Sequence, residues 1–390
     1  MVQLAKPVGT ALLRFSPAHE LPDKPLADSL SAALWLSDGS LFVAADETTT
    51  LEHLQLKHDV EGGIIQFGHH QQLDLADVLQ DFRGVSKKGN LQEIDLEGLA
   101  YCEPYLWFVG SHSTKRKKPK TKSVDILRNP ADLERLATVE PEPNRYLLGR
   151  IRLSHNSDGQ LQLQFPNPKS LTTADAAYLE RTAHGNLLLD VLKTDPHLGP
   201  ILTTPHDDES IAYPGKDNGF DIEGIVVRDN RLFLGLRGPV LRGWSLLLEV
   251  AVEVSSPGFL KLKPLEPGGE YYRKHFLNLR GLGIRDLCLR KNDLLILAGP
   301  TMDLDGPVYL FSLRGGLDVL QGSDEPDENV LDILGEIPVG VGATAGYDHP
   351  EGLTLVPQDD ATQVLVVYDS PAPARKAQGA GVTIADIFAL

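Results

Sequence analysis

Charged residues able to do chemistry stand at matching places along this chain of 390 residues. Glu97, Glu223 and Glu351 are each followed by Gly and an apolar run, and Arg285 opens a fourth run as Arg-Asp. A fifth run, opened by Ala32, lacks the charge. Fourteen residues after Ala32, Glu97, Glu223 and Arg285 come Asp46, Ser111, Arg237 and Gly299; the counterpart of Glu351 is Asp369, eighteen residues on. His112 and His349 lie beside this series. Converging carboxylates offer the oxygen ligands that a hard cation such as Ca²⁺ takes, or a general base whose pKa its neighbours have raised. The guanidinium forks of Arg237 and Arg285 suit a phosphate or carboxylate. The catalytic candidates are thus Glu223, Glu97, Glu351 and His112. Arg237, Arg285 and His349 are candidates for holding a substrate, and Asp46, Asp217, Asp221 and Asp369 for holding a metal. These residues require no cofactor, and calcium is the candidate if one is bound.

The elements that must position these groups are hairpins. The segments Ala32–Glu47, Glu97–Ser113, Glu223–Pro239, Arg285–Pro300 and Glu351–Ser370 share one layout, two short apolar runs around a polar turn. The turns are Asp38-Gly39, Glu103-Pro104, Asp229-Asn230, Lys291-Asn292 and a longer one around Gln358-Asp359-Asp360, all of which read as antiparallel hairpins. The openings recur at 65, 126, 62 and 66 residues. The doubled interval holds either a degenerate sixth unit or a long insertion. Further strand-like runs follow most hairpins, as in SLLLEVAVEV then GFLKLKPL. Four short strands per unit, repeated around a ring, is the β-propeller pattern. The expected fold is therefore all-β: one propeller domain over 1–390 with five or six four-stranded blades. Insertions at about 112–145 and 167–220 make it partly helical. Val8–Phe15 is expected to complete the last blade, because a strand lent across the termini closes such a ring and removes an edge. If the first strand of each unit is innermost, the charged positions gather at one mouth of the channel, since a strand's start and its antiparallel neighbour's end share an edge.

A repeated Glu-Gly has two readings. It ties one blade to the next, Glu accepting backbone N–H groups and Gly permitting close approach, or it builds a site. Recurrence favours construction, so the departures from the repeat, Arg285 and Arg237, are the better functional residues. The segment PGKDNGFDIEG adds Lys216, Asp217, Asn218 and Asp221 at one strand entrance, without the EF-hand spacing. Lys115–Lys122 is a basic run that reads first as a solvated loop and second as a contact for phosphate groups or an acidic partner overhanging the mouth. Asp207-Asp208-Glu209 reads as solvated surface.

Composition narrows the function classes. Lys plus Arg is 37 and Asp plus Glu is 54, a net charge of −17, which excludes a general nucleic-acid binder. No run approaches the ~18 apolar residues of a membrane span, and no secretory core is visible, so a cytoplasmic location is expected. The two cysteines, Cys102 and Cys288, read as free thiols. The partner is expected to be a small-molecule anion or a protein; the oligomeric state is not legible. No nucleophile elbow, P-loop or dinucleotide fingerprint is present.

The phrases DLEGLAY, GKDNGFDIEGIVV, FLGLRGPVLRGW and HPEGLTL resemble a mainly bacterial family catalogued as domain of unknown function 3616. That resemblance covers most of the chain and implies a propeller-like fold without a mechanism. The phrase D-x-E-G-[LI] is also similar to strand entrances in esterase-like, phytase-type propellers, which implies calcium-assisted phosphoester hydrolysis. Asp95-Glu97-Gly98 and Asp221-Glu223-Gly224 match it, His349-Glu351-Gly352 lacks the first Asp, and Gly283-Arg285-Asp286 breaks it. Three functions remain open: binding of an anion or partner at the mouth, metal-dependent hydrolysis of phosphoesters, and a lactonase-like hydrolysis.

Overall fold

The computed structural model describes residues 5–19, 25–57, 64–75, 93–121, 129–155, 161–163, 176–183, 185–206, 209–322, 330–340, 347–357 and 362–390. The expected long turn at Gln358-Asp359-Asp360, the pair Asp207-Asp208 and Lys122 lie outside these residues.

The described chain is mostly β. Its strands form antiparallel groups in chain order. The first unit runs Leu30–Trp35, Ser40–Ala45, Thr50–Leu56, Ile65–Asp74. The second runs Leu96–Cys102, Tyr105–Gly110, Leu148–His155, Ala176–Leu179. In the third, Asp221–Arg228, Arg231–Gly238 and Ser245–Ser256 are followed by Phe259–Lys263 and Tyr272–Leu277, which share the edge of the twelve-residue third strand. The fourth runs Gly283–Arg290, Asp293–Gly299, Val308–Leu313, Leu331–Ile337. The last takes His349–Leu355, Gln363–Asp369 and Val382–Ala389, and its fourth strand is Pro7–Arg14 from the other end of the chain. That strand also pairs in parallel with Ile65–Phe67 of the first unit. The expected strand exchange is present, and it covers two sheet edges at once.

The hairpin turns follow local chemistry. Asp229 and Asn230 both take positive φ, 51° and 64°, the left-handed pair that a two-residue turn needs and that Asp and Asn tolerate. Each unit's first strand touches the first strand of the next, and the last touches the first. The apolar interior is divided accordingly. Five clusters of buried side chains lie between neighbouring units, for example Phe42 and Ala44 against Leu106 and Phe108, and Leu295 and Leu297 against Val364 and Val366. A four-stranded sheet has two apolar faces, and the ring buries both.

The doubled interval contains the third and fourth strands of the second unit and short helices at Pro130–Ala137, Leu187–Leu192 and Gly199–Leu202. The helix-like stretch around Ala176–Lys193 is helical only in its second half; Ala176–Leu179 is a fully buried strand, paired antiparallel with Leu148–His155 and in parallel with Phe259–Lys263 of the third unit. Cys102 and Cys288 are free. Among the described residues no helix is long and apolar enough to cross a membrane.

Candidate functional site

Every first hairpin carries a register shift at the same place. The ladder slips between Leu30 and Ala32, Leu96 and Gly98, Ile222 and Gly224, Ile284 and Asp286, and Pro350 and Gly352. A β-bulge leaves one residue unpaired and re-aims its side chain. The bulged residues are Ser31, Glu97, Glu223, Arg285 and Glu351. The first unit's opening residue is therefore Ser31, one before Ala32; its hairpin is one residue longer, so Asp46 remains the counterpart on the second strand.

The residue after each bulge meets the next unit. A Cβ on Gly98 would lie 3.0 Å from the Ile225 side chain, one on Gly224 3.0 Å from the Leu287 backbone nitrogen, and one on Gly352 2.9 Å from the Ala32 carbonyl carbon. In the fourth unit Asp286 holds this position and accepts N–H bonds from Leu287 at 2.7 Å and from Leu353 of the next unit at 2.6 Å. In the first unit the Ser31 hydroxyl donates to Leu96 O.

The bulged side chains converge. Arg285 Nη1 lies 2.7 Å from Glu351 Oε1 and 3.3 Å from Glu223 Oε2, and Arg237 Nη1 lies 2.7 Å from Glu223 Oε1. The two guanidinium groups also grip one neighbouring segment, Arg237 Nε donating to Thr301 O at 2.9 Å and Arg285 Nη2 to Pro300 O at 3.0 Å. Burial, with the charges of Asp95, Glu223 and Glu351, pushes the Glu97 carboxyl well above the usual range. Asp46 is raised in the same way by burial and by Asp369, Asp95 and Glu351. Burial raises Asp221 to about 8, with Glu223 adding to the shift and Arg237 opposing it. Burial and Asp369 raise Glu351 to about 7 against the pull of Arg285. Burial works to lower Lys216, but Glu351, Asp95 and Asp46 outweigh burial and Arg237 together, and its ammonium is held charged.

Beside these residues opens a cavity of ≈ 260 Å³. Lys118, Lys216, Arg237 and Arg285 line it, together with Glu351, His349 and Asp369. His349 is raised by the Asp369 carboxylate, which lies 3.9 Å from Nδ1.

The other expected residues lie elsewhere. His112 is fully buried, its Nδ1 2.7 Å from Gly110 O and its Nε2 2.7 Å from the Asn186 amide; burial lowers it to about 4. It is a neutral, fully satisfied core residue and does not line the cavity. Asp217 pairs with Arg116 at 2.5 Å. Asp46, Asp217, Asp221 and Asp369 do not close on one point, and among the described residues no three His, Cys, Asp or Glu side chains are grouped to hold a metal ion. The basic run is tied down residue by residue: Lys115 to Glu93, Arg116 to Asp217, Lys117 to Glu140 and Lys118 to Asp303. Sequence reading passes over Arg145, whose guanidinium reaches Asp95, Glu142 and Glu93 at 2.5, 2.5 and 2.6 Å. No spacing marks it, since it sits in a one-off connection.

The model of the family described as "Protein of unknown function (DUF3616)" matches residues 29–386. No curated protein matches the sequence. Among solved structures, the chain is similar to virginiamycin B lyase from Staphylococcus aureus, at 11% identity and a TM-score of 0.33 over 98% of this chain and 100% of that one. It is similar to a periplasmic gluconolactonase of Pseudomonas aeruginosa, at 12% identity and 0.29 over 86% and 77%. It is similar to the PQQ-bound aldose sugar dehydrogenase of Streptomyces coelicolor, at 11% and 0.30 over 98% and 99%. At this level of similarity none of these activities transfers to the chain.

Proposed function

We propose, for a chain that belongs to the DUF3616 family, a five-bladed propeller whose channel mouth binds a small anion. The observation that carries this reading is the cavity, where Lys118, Lys216, Arg237 and Arg285 meet from three distant parts of the chain. Of the carboxyl groups that line it, Glu351 is raised to about 7 and so carries less than a full charge near neutrality, while the Lys216 ammonium is held charged; the nearby Asp46, Glu97 and Asp221 carboxyls are raised as well. An anion entering the cavity meets fixed donors in a partly water-excluded space, where each charge-assisted hydrogen bond is strong.

The test is thermal melting with inorganic phosphate and with acetate. A ligand that binds only the folded state raises the melting temperature in proportion to RT ln(1 + [L]/Kd). We expect both anions to raise it for the natural protein and to lose most of that effect in Lys216→Ala, whose exposed lysine can be removed without a packing defect. Melting that ignores both anions at tens of millimolar overturns the reading.

A second reading is favoured by Glu351. Its carboxyl faces the cavity and titrates near neutrality, the property of a general base. Hydrolysis of a bound ester, lactone or phosphoester would then use Glu351 to take a proton from water, with Arg285 steadying the carboxylate. Turnover of p-nitrophenyl acetate or phosphate that vanishes in Glu351→Gln supports it; turnover unchanged in that variant refutes it.

A further inference from the structure

The cavity has a second kind of wall. Pro300, Met302, Leu304, Val308, Val339 and Pro350 line it beside the cations. Met302 and Leu304 are 44% and 62% exposed, and exposed apolar side chains on the rim of a charged cavity mark a recognition surface more than a core. The segment that presents them is held in place. Its Pro300 and Thr301 carbonyls are the acceptors of Arg285 Nη2 and Arg237 Nε, Met302 pairs with Asp217 as an isolated β-bridge, and Leu304 N–H donates to Met302 O at 2.8 Å. The groups that would hold an anion and the apolar wall are thus fixed to one another through two hydrogen bonds. A molecule anchored at Arg237 and Lys216 shares its cavity with Met302, Leu304 and Val308.

We infer that the ligand is an amphiphilic monoanion, a small organic acid with an apolar body, rather than a bare inorganic ion or a polyanion. The inference rests on the anion-binding reading above and adds the ligand's other half. A polyanion fits poorly because Glu351, Asp369, Asp303 and Asp305 also line the cavity and would face every charge beyond the first. The cavity's ≈ 260 Å³ sets the scale of a short-chain acid, not of a long lipid.

Calorimetric titration with acetate, butanoate and hexanoate, with inorganic phosphate alongside, tests it. Full burial of a methylene is worth about 0.8 kcal/mol, or about fourfold in affinity; against a wall that is partly exposed we expect about twofold to threefold per methylene until the cavity is full. Leu304→Ser and Met302→Ser keep the cations and change only exposed side chains, so they fold. They should bind acetate as the natural protein does and lose the gain with chain length. Acetate and hexanoate binding equally well to the natural protein overturns the inference while leaving the anion site standing. A chain-length gain that survives in both serine variants also overturns it, because the apolar contact is then elsewhere. No binding of any of the four anions removes both readings together.

Discussion

Replacing Glu351 by Gln should stabilise the protein, and by an amount that grows with pH. The Glu351 carboxyl lies 2.7 Å from Arg285 Nη1, yet burial, and after it the Asp369 charge, lift its pKa from 4.5 to about 7. A raised carboxyl pKa means that the folded protein keeps a proton which the unfolded chain releases. Below pH 4.5 both states are protonated and the group is neutral in its effect. Between 4.5 and 7 only the unfolded chain ionises, so stability falls as pH rises; above 7 the loss is complete. A shift of about 2.5 units at about 1.4 kcal/mol each gives a full cost of about 3 kcal/mol. Gln has the shape of the protonated acid and still offers Arg285 an oxygen, so it escapes that cost. Urea midpoints should show Glu351→Gln ahead by about 1 kcal/mol at pH 5, about 2 at pH 6 and about 3 at pH 8. Asp369→Asn in the same background should shrink the gain, because it removes the largest like charge. A gain equal at pH 5 and pH 8, or a loss at pH 8, would refute the reasoning that this carboxyl is held protonated at the mouth.

Gly224→Ala should cost about 1–3 kcal/mol, since its methyl group would meet backbone of the fourth unit at 3.0 Å; chemical denaturation against Gly243→Ala, where nothing lies within 4 Å and only the positive φ of 92° is strained, separates crowding from backbone cost. Asn186→Ala should cost about 3 kcal/mol, because the side chain caps Leu188 and Leu189 N–H groups and also donates to His112 Nε2 and Tyr146 O; a loss below about 1 kcal/mol in the same assay would show that these bonds are replaced by water. Leu13→Asp, a charge placed at a fully buried position in the strand from the other terminus, should abolish the cooperative melt seen by circular dichroism. A normal melt would mean that the strand is dispensable for closing the ring.

Much of the ring was legible because its information is local and repeated. A polar pair between two apolar runs says hairpin wherever it occurs, and five occurrences spaced by about 65 residues or twice that say ring. The charged openings were legible for the same reason, and three of them meet, Arg285 reaching both Glu223 and Glu351. Ala32 misleads by one position because the first hairpin has one residue more, which a count of fourteen hides. His112 stands next to a mouth position in sequence, but its φ of 57° turns the chain at that point, and Asn186, 74 residues away, takes its ring into the interior. Arg145 and the tied-down basic run depend on pairings across the fold, such as Arg116 with Asp217 over 101 residues, and no local pattern encodes those. The apolar wall at Met302 and Leu304 leaves no local pattern, since Asp303 and Asp305 interrupt it in sequence and its meaning lies in what faces it.

The Glu-Gly phrase poses a choice between construction and chemistry, and the fourth unit shows that the choice is a false one. The bulge splits the two residues between two tasks. Gly98, Gly224 and Gly352 face the neighbouring unit, and their lack of a Cβ sets the spacing of the ring. Glu97, Glu223 and Glu351 face the axis. Where the fourth unit has Arg-Asp, each half changes independently. Asp286 keeps the inter-unit contact by another means, a buried carboxyl accepting Leu353 N–H of the next unit at 2.6 Å, and Arg285 reverses the charge at the mouth. Reversal at one position among acidic ones is what lets Glu223 and Glu351 lie so close together, since Arg285 reaches both and Arg237 reaches Glu223 as well. If the charges served only to pin the ring, a fourth Glu-Gly would leave Glu223 and Glu351 with one guanidinium fewer and nothing gained. The asymmetry is instead placed at the cavity described above, where Lys118 and Lys216 also arrive. The inter-unit contact is carried by the residue after the bulge, and of the bulged residues Arg285 and Glu351 line the cavity.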